Sequence, residues 1–398
     1  MKELANKYYK IFKEELFESC VPFWLENGRD MVNGGILNCL DRYGKVYSTD
    51  KSVWMQGRTA WTYSYISNSF GKNEEYLDFA KSCLDFENKH CFDSDGRMFF
   101  TVTSDGKPLR KRRYWFSETF YIIGSAEYYM ATGDKTSLEN AKSCFDFVYG
   151  MYRDPKTDPF KITPKSYAET RSMKSLGRPM IMLNVTSIMR KADPENEGKY
   201  NAIIDNLIND IRCFYKPQLK GMLEAVTQEN EYLSEVSEGR IINPGHCIEC
   251  AWFLLDEGIY RGDEELKKFA ATVFDDAIAR GWDSELGGIF YFKDAEGKPI
   301  EAYEHDMKLW WPHNEAIIAS LMLYRETGEE KYRDWFEKIT EYAFAHFSDR
   351  ANGEWLGYLR RDGMPTEPPC KGHTYKGAFH VMRMLAKVLN VFDEACKE

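Results

Sequence analysis

The strongest constraint on this chain is an internal repeat. Glycines recur in pairs ten residues apart: Gly34 and Gly44, Gly96 and Gly106, Gly287 and Gly297, Gly353 and Gly363. Each pair brackets a short apolar, β-prone run and then a polar turn. The runs are Gly35-Ile36-Leu37-Asn38, Arg97-Met98-Phe99-Phe100, Gly288-Ile289-Phe290-Tyr291 and Glu354-Trp355-Leu356-Gly357. A weaker fifth copy starts at Gly221, and the spacing places a sixth near Pro155–Tyr167, where Pro155, Pro159 and Pro164 stand in for glycine. Successive starts differ by 62, 125, 66 and 66 residues, and the 125 is two periods. Each copy reads as a hairpin, with glycine supplying positive φ at its turns. Six units of this length mean a repeat architecture.

Between the hairpins the apolar spacing is helical, with two helices per unit. In the last unit Ala378, Val381, Leu385, Val388 and Phe392 form one apolar face, and Tyr8, Ile11, Phe12 and Leu16 do the same in the first. The spacing predicts helices over 3–24, 52–69, 73–90, 112–131, 136–152, 172–190, 197–214, 245–260, 263–280, 312–327, 330–347 and 375–392. Twelve helices in six hairpin units describe an all-α (α/α)6 barrel, with six inner helices ringed by six outer ones and short β-hairpins at one end. No Pro/Ser-rich linker divides the chain, so a single catalytic domain over 1–398 is expected.

Charge and composition narrow the function. With 53 Lys and Arg against 63 Asp and Glu and no basic block, a nucleic-acid partner is not expected. No signal-peptide pattern opens the chain and no apolar run is long enough to span a bilayer, so a cytoplasmic protein without membrane contact is expected. The ten scattered cysteines suit buried thiols in a reducing compartment. Ten Trp, 25 Tyr and 25 Phe are more flat side chains than a core needs, and sugar pockets are one place they collect.

If helices alternate inner and outer, the even-numbered ones line a cavity. Helix two carries Trp54, Arg58, Trp61 and Tyr65 on one face; helix four carries Tyr114, Glu118 and Tyr121. Helix six opens with Gly177-Arg178-Pro179-Met180 and includes Asn184, and helix eight follows Pro244-Gly245 with His246 and Glu249. Helix ten opens with Trp310-Trp311-Pro312-His313-Asn314-Glu315, and helix twelve carries Lys376, His380 and Arg383 on one stripe. Arg58, Glu118, Arg178, His246, Glu315 and His380 are 60, 60, 68, 69 and 65 residues apart, the period of the fold. An arginine set among Trp54, Trp61 and Tyr65 needs a carboxylate, a stacked ring or a ligand. The Cys247-x-x-Cys250 pair beside His246 lacks the second pair a zinc site needs, no metal is expected, and no dinucleotide or phosphate-loop motif occurs.

An aromatic cavity with polar stripes suits a sugar. A glycosidase would draw a carboxylate pair from Glu118, Glu249, Glu315 and Asp283. An epimerase needs a base on each face of one carbon, both titrating near neutral pH, which histidine fits best. Arg58 could then hold the enolate oxygen. Two cavity histidines with an arginine favour proton transfer.

Seven stretches carry a more specific resemblance. Gly34-Gly35, Trp54-Met55-Gln56-Gly57-Arg58, Gly177-Arg178-Pro179-Met180 and Asn243-Pro244-Gly245-His246-x-x-Glu249 are four of them. The others are Trp310-Trp311-Pro312-His313-x-Glu315, Gly353-Glu354-Trp355-x-Gly357-Tyr358 and Lys376-Gly377-x-Phe379-His380-Val381-x-Arg383. In this order they resemble the N-acylglucosamine 2-epimerase family, also known through renin-binding protein, which includes cellobiose 2-epimerases. The resemblance implies an (α/α)6 barrel and an interconversion at C2 of an open-chain sugar, N-acyl-D-glucosamine to N-acyl-D-mannosamine. It implies His246 and His380 as the acid/base pair, Arg58 on the carbonyl oxygen, and Glu249 and Glu315 orienting the histidines or binding hydroxyls. Trp54, Trp310 and Trp311 become stacking walls, with Glu118, Arg178, Asn184 and His313 among the substrate-binding groups. Trp311-Pro312-His313 is similar to the N-acyl branch, whereas the cellobiose enzymes prefer Gln at that histidine. His373 and Tyr375 depart from the branch's Lys-Gly-Gly and are bulkier, which keeps a glucose/mannose or cellobiose 2-epimerase as the alternative. No cofactor is expected for the chemistry. Several family members respond to ATP and many are homodimers, and neither property has a motif here. A partner-binding protein without catalysis is the remaining reading.

Overall fold

The computed structural model describes residues 1–112, 114–160, 167 and 169–396. Its first helix, α1, runs over Lys2–Glu14, passes through a π-helical stretch at Glu15–Cys20 and continues over Val21–Asn27. Then come α2 (Val53–Phe70), α3 (Glu74–His90), α4 (Phe116–Thr132), α5 (Lys135–Arg153), α6 (Gly177–Ala192) and α7 (Glu197–Arg212). The second half holds α8 (Pro244–Arg261), α9 (Glu264–Gly281), α10 (Trp310–Thr327), α11 (Glu330–His346) and α12 (His380–Ala395), besides a single turn at Ser237–Arg240. The even-numbered helices pack side by side in a closed ring, α12 meeting α2, and the odd-numbered ones pack outside it. The two sets differ as their positions require. In α10 every residue from Trp310 to Leu323 is buried. Outer α9 buries only the stripe Leu266, Ala270, Val273, Phe274, Ala277, Ile278 and Gly281.

The glycine pairs turn the hairpins as expected: Gly34, Gly44, Gly96, Gly106, Gly287, Gly297, Gly353 and Gly363 all have φ between 73° and 88°. In the fifth copy it is Lys220, not Gly221, that takes positive φ. Much of the expected sixth copy lies outside the described residues; Pro155–Thr157 forms a single 3-10 turn.

These hairpins also stitch neighbouring units together. The strand ahead of each of several inner helices pairs antiparallel with the hairpin of the next unit: Lys51–Ser52 with Thr101–Val102, Met173–Ser175 with Ala225–Thr227, Ile241–Ile242 with Lys293–Asp294, and Lys308–Leu309 with Tyr358–Leu359. Leu40 exchanges backbone hydrogen bonds with Lys371 and Gly372, which closes the circle. An ion pair recurs under four hairpins, buried at Lys51–Asp30 (2.8 Å), Lys308–Asp283 (2.9 Å) and Lys371–Asp349 (3.2 Å) and partly exposed at Lys111–Asp93 (2.8 Å).

Three inner helices start later than their spacing suggested. Phe116, Gly177 and His380 open α4, α6 and α12 because the residues before them are spent on the hairpin layer. Met173–Ser175 is a strand, and Lys376 turns back on His373 through paired backbone hydrogen bonds. Lys376 therefore does not share a helical stripe with His380: it is fully buried, 2.9 Å from Glu354.

Candidate active site

Six inner-helix N-termini point to the hairpin end, where their dipoles favour negative charge. His246 is the third residue of α8. Its backbone N–H is capped by the Asn243 side chain at 3.1 Å, so its imidazole is free of the capping role. Gly245 leaves room for the neighbouring indole: a Cβ there would come within 2.6 Å of Trp311. The His246 ring lies 5.1 Å from Trp311, and the His380 ring lies 6.0 Å from the same indole. Trp310 meets His380 edge-on at 6.1 Å. The two imidazoles therefore border one aromatic wall.

Each imidazole has its own carboxylate. His246 Nδ1 lies 2.9 Å from Glu224 Oε2, and His380 Nδ1 lies 2.8 Å from Glu315 Oε1. A carboxylate accepts only, so each Nδ1 is the protonated nitrogen and each Nε2 is left for a ligand. Their surroundings push the two in opposite directions. Burial disfavours charge on His246, but the carboxylates of Glu224 and Glu249 outweigh it and raise its pKa. Burial and the cations Arg383 and Arg58 hold His380 well below the ordinary value. The first is biased towards keeping its proton and the second towards losing it.

Beneath them lies a carboxylate–guanidinium cluster. Arg383 Nη2 donates to Glu249 Oε1 and to Glu315 Oε1, both at 2.6 Å, and Trp252 Nε1 donates to Glu315 Oε2 at 2.8 Å. Glu249, Glu315 and His380 present donor atoms within 4.8 Å of one another, a spacing that could hold a metal ion. Arg383 already sets a cation among these three groups, its Nη2 also lying 3.4 Å from His380 Nδ1.

Arg58 enters from α2, which packs against α4 at Gly57, where a Cβ would come within 2.4 Å of the Phe120 carbonyl carbon. Its guanidinium sits 4.1 Å from the Phe120 ring and 4.8 Å from Phe379. Nη1 donates to the Tyr375 carbonyl at 3.4 Å, and Nε is buried without a hydrogen-bond partner among the described residues. Burial pushes its pKa down to about 9, so it remains a cation at neutral pH. Trp54 packs edge-on against Phe100, Phe116 and Tyr375. At the rim, His373 Nε2 lies 2.5 Å from the Tyr358 hydroxyl, and Arg112 Nη2 donates to the Tyr375 hydroxyl at 2.6 Å.

Three expected substrate contacts lie elsewhere. Glu118 is fully buried, receives Arg97 Nε at 2.6 Å and accepts the Met98 N–H at 2.9 Å. His313 is fully buried too. Its Nδ1 donates to the Leu309 carbonyl at 2.6 Å and its Nε2 accepts the Ile289 N–H at 2.9 Å. Gln56 clasps Ile36 in the same way, by 2.8 and 2.9 Å bonds. Glu118 is thus the repeat equivalent of Gln56, 62 residues earlier, and not of Arg58. Two residues turn a helix by about 200°, from cavity to hairpin. Asn184 lines a separate cavity beyond Trp252 and Arg383. Arg178 is half-buried between Trp115 and Tyr152, 5.7 and 5.8 Å from their rings. Cys247 and Cys250 are free, buried thiols.

Glu224 was not anticipated. It stands two residues past Met222, the hairpin residue facing Cys247, and Phe100 and Tyr291 occupy the same place in their hairpins. All three positions are bends just past the clasped hairpin residue, and in this copy the bend brings a carboxylate to His246, a signal that a search of the helices alone passes over.

A closed barrel of this class is the fold of solved sugar epimerases. A cellobiose 2-epimerase structure from Spirochaeta thermophila DSM 6192 superposes with a TM-score of 0.85 over 99% of both chains at 22% identity, a likeness of fold. The N-acylglucosamine 2-epimerase family profile matches residues 34–383, and the chain belongs to that family. Among curated relatives, the N-acylglucosamine 2-epimerase of Bos taurus is 37% identical over 92% of this chain and 87% of its own. The cellobiose 2-epimerase of Eubacterium cellulosolvens is 23% identical over 96% and 98%.

Proposed function

We propose that this isomerase interconverts N-acyl-D-glucosamine and N-acyl-D-mannosamine by moving the proton on C2 of the open-chain sugar. The observation that carries the reading is the pair of imidazoles on one Trp311 wall, each with Nδ1 on its own carboxylate and with opposed charge preferences. In the direction where His380 is the base, its Nε2 takes the C2 proton and the C–H electron pair moves into the C1 carbonyl. The resulting enolate oxygen is held by Arg58, with the helix N-termini adding to the field. His246 then returns a proton to the opposite face of C2 as the carbonyl reforms. Trp54, Trp310 and Trp311 serve as walls for the sugar's CH faces.

The carboxylates speak against glycosidase chemistry. A general acid must hold a proton, yet Glu249 and Glu315 both share Arg383, and Asp283 is bound to Lys308 and Arg361, each at 2.9 Å. The named activity of the mammalian relatives supports the N-acylated substrate. The His373–Tyr358 and Tyr375–Arg112 rim supports a second reading, an unsubstituted sugar such as glucose or mannose.

NMR of N-acetylglucosamine, N-acetylmannosamine, glucose, mannose and cellobiose in deuterium oxide tests both. The expected product carries deuterium at C2, and epimerisation without label would falsify proton transfer. Repeating the panel with ATP, and weighing the protein in solution, tests the activation and homodimer that the family resemblance implies.

A further inference from the structure

The inner helices enclose a second chamber. It lies on the far side of the Trp252 and Arg383 layer, has a volume of about 290 Å3, and is lined by later turns of α2, α4, α6 and α8 with Arg383 and Lys387 of α12. Lys191 and Asp256, whose side chains are 52% and 39% exposed and 3.7 Å apart, give it an opening to solvent. No step of the epimerisation uses it.

Its polar groups are unevenly matched. Lys387 sets its ammonium 4.9 Å from the Trp252 ring and 5.8 Å from Tyr65, with no ion pair or hydrogen bond to any described residue. Two further donors line the chamber without an acceptor of hydrogen-bonding geometry among the described residues, the Trp61 indole N–H and Arg383 Nε. Trp61 and Arg383 are only 4% and 3% exposed. Buried donors and an unpaired cation are costly unless an acceptor reaches them. Asp256 and Glu127 act on Lys387 only at a distance, and Glu127 lies toward the Trp61 N–H without reaching hydrogen-bonding geometry. Asp256 is engaged by Lys191, and Glu127 takes Asn68 Nδ2 at 2.7 Å. Burial pushes the Glu127 carboxyl up to about 7, which weakens its charge at neutral pH. Trp61 stacks on Tyr65 at 4.7 Å and 12°, which with Trp252 gives flat walls, and Asn184 and Ser187 add uncharged polar groups.

We propose that this chamber is a second binding site, for a small polyhydroxylated carboxylate. Its carboxylate meets Lys387 and the Trp61 N–H, and its hydroxyls meet Asn184 and Ser187 while its carbon chain lies along the aromatic walls. Arg383 is the one side chain that lines the chamber and also binds Glu249 and Glu315.

Gluconate, with sorbitol as the uncharged control, is the probe. Calorimetry is expected to detect gluconate but not sorbitol, with binding undiminished by saturating N-acetylmannosamine and retained in His246→Ala. Lys387→Met is expected to weaken gluconate at least tenfold while epimerisation continues. The Trp61 indole N–H resonance of the unaltered protein should move on gluconate addition, a readout that needs no variant. Equal binding of sorbitol, displacement by N-acetylmannosamine, full affinity in Lys387→Met, or a stationary Trp61 signal would each overturn the site. None of these outcomes depends on which sugar is epimerised.

Discussion

Glu224 and Glu315 give two chemically identical imidazoles different duties. Both carboxylates hold an Nδ1–H, but Glu315 shares its charge with Arg383, whereas Glu224 does not. His246 therefore keeps its proton to higher pH than His380 does. In the direction where His380 is the base, the acid limb of the rate profile belongs to His380 and lies below the ordinary histidine range. The alkaline limb belongs to His246, which Glu224 and Glu249 shift upward from the ordinary value. Glu224→Gln keeps the hydrogen bond's shape but removes the charge. kcat/KM should drop about tenfold or more and the alkaline limb should move to lower pH; a pH–rate profile with an unmoved alkaline limb would rule out this role for Glu224. His380→Asn should cost about 10²–10⁴-fold in kcat, the scale of a lost general base, checked by C2 deuterium uptake from each epimer.

At the scale of elements, the unit is an inner helix clasping its own hairpin. Gln56 holds Ile36, Glu118 holds Met98, Cys247 reaches Met222 and His313 holds Ile289. Different side chains perform one geometric task, which is why the periodicity of polar residues was legible in the sequence while its meaning was not. A repeat in the sequence marks equivalent backbone positions. Whether a position faces cavity or hairpin depends on the helix's rotation, and one misplaced register of two residues moved Glu118 from one set to the other. His313→Gln should be nearly neutral, because a glutamine already performs this clasp at Gln56. His313→Leu leaves the buried Ile289 N–H unpaired and should destabilise by about 1–3 kcal/mol. Urea denaturation of both variants measures the difference; equal losses would mean that ring packing on Tyr342, 5.3 Å away, is what matters.

The whole molecule is a ring held shut where its ends meet. Glu15 of the π-helical stretch receives Trp355 Nε1 at 2.8 Å, Glu354 receives Trp24 Nε1 at 2.6 Å, and Lys371 reaches Asp349 across the last hairpin. Burial alone would raise the carboxyls of Asp30, Asp283 and Asp349. Their lysine, arginine and other hydrogen-bond partners hold all three below the ordinary value instead. A depressed carboxylate contributes stability that is complete above the unfolded pKa, about 4, and drains away as pH falls below it. Acid unfolding followed by circular dichroism should therefore begin under about pH 4. Asp283→Asn strands the buried Lys308 ammonium and should cost about 3–5 kcal/mol at neutral pH; unchanged stability there would show the pair to be dispensable.

The glycine spacing and the 3.6-residue apolar period by themselves determined the repeat, its twelve helices and the helix end at which His246 stands, because turn geometry and amphipathic spacing are local properties written into neighbouring residues; that His380 opens its helix was decided by the hairpin layer ahead of it. The pairing of those histidines with Glu224 and Glu315, the removal of Glu118 and His313 to the hairpin layer, and the second chamber under Arg383 were decided only when the ring closed. Charge partners, helix rotation and cavity walls come from residues far apart in the chain, and their positions are set by packing.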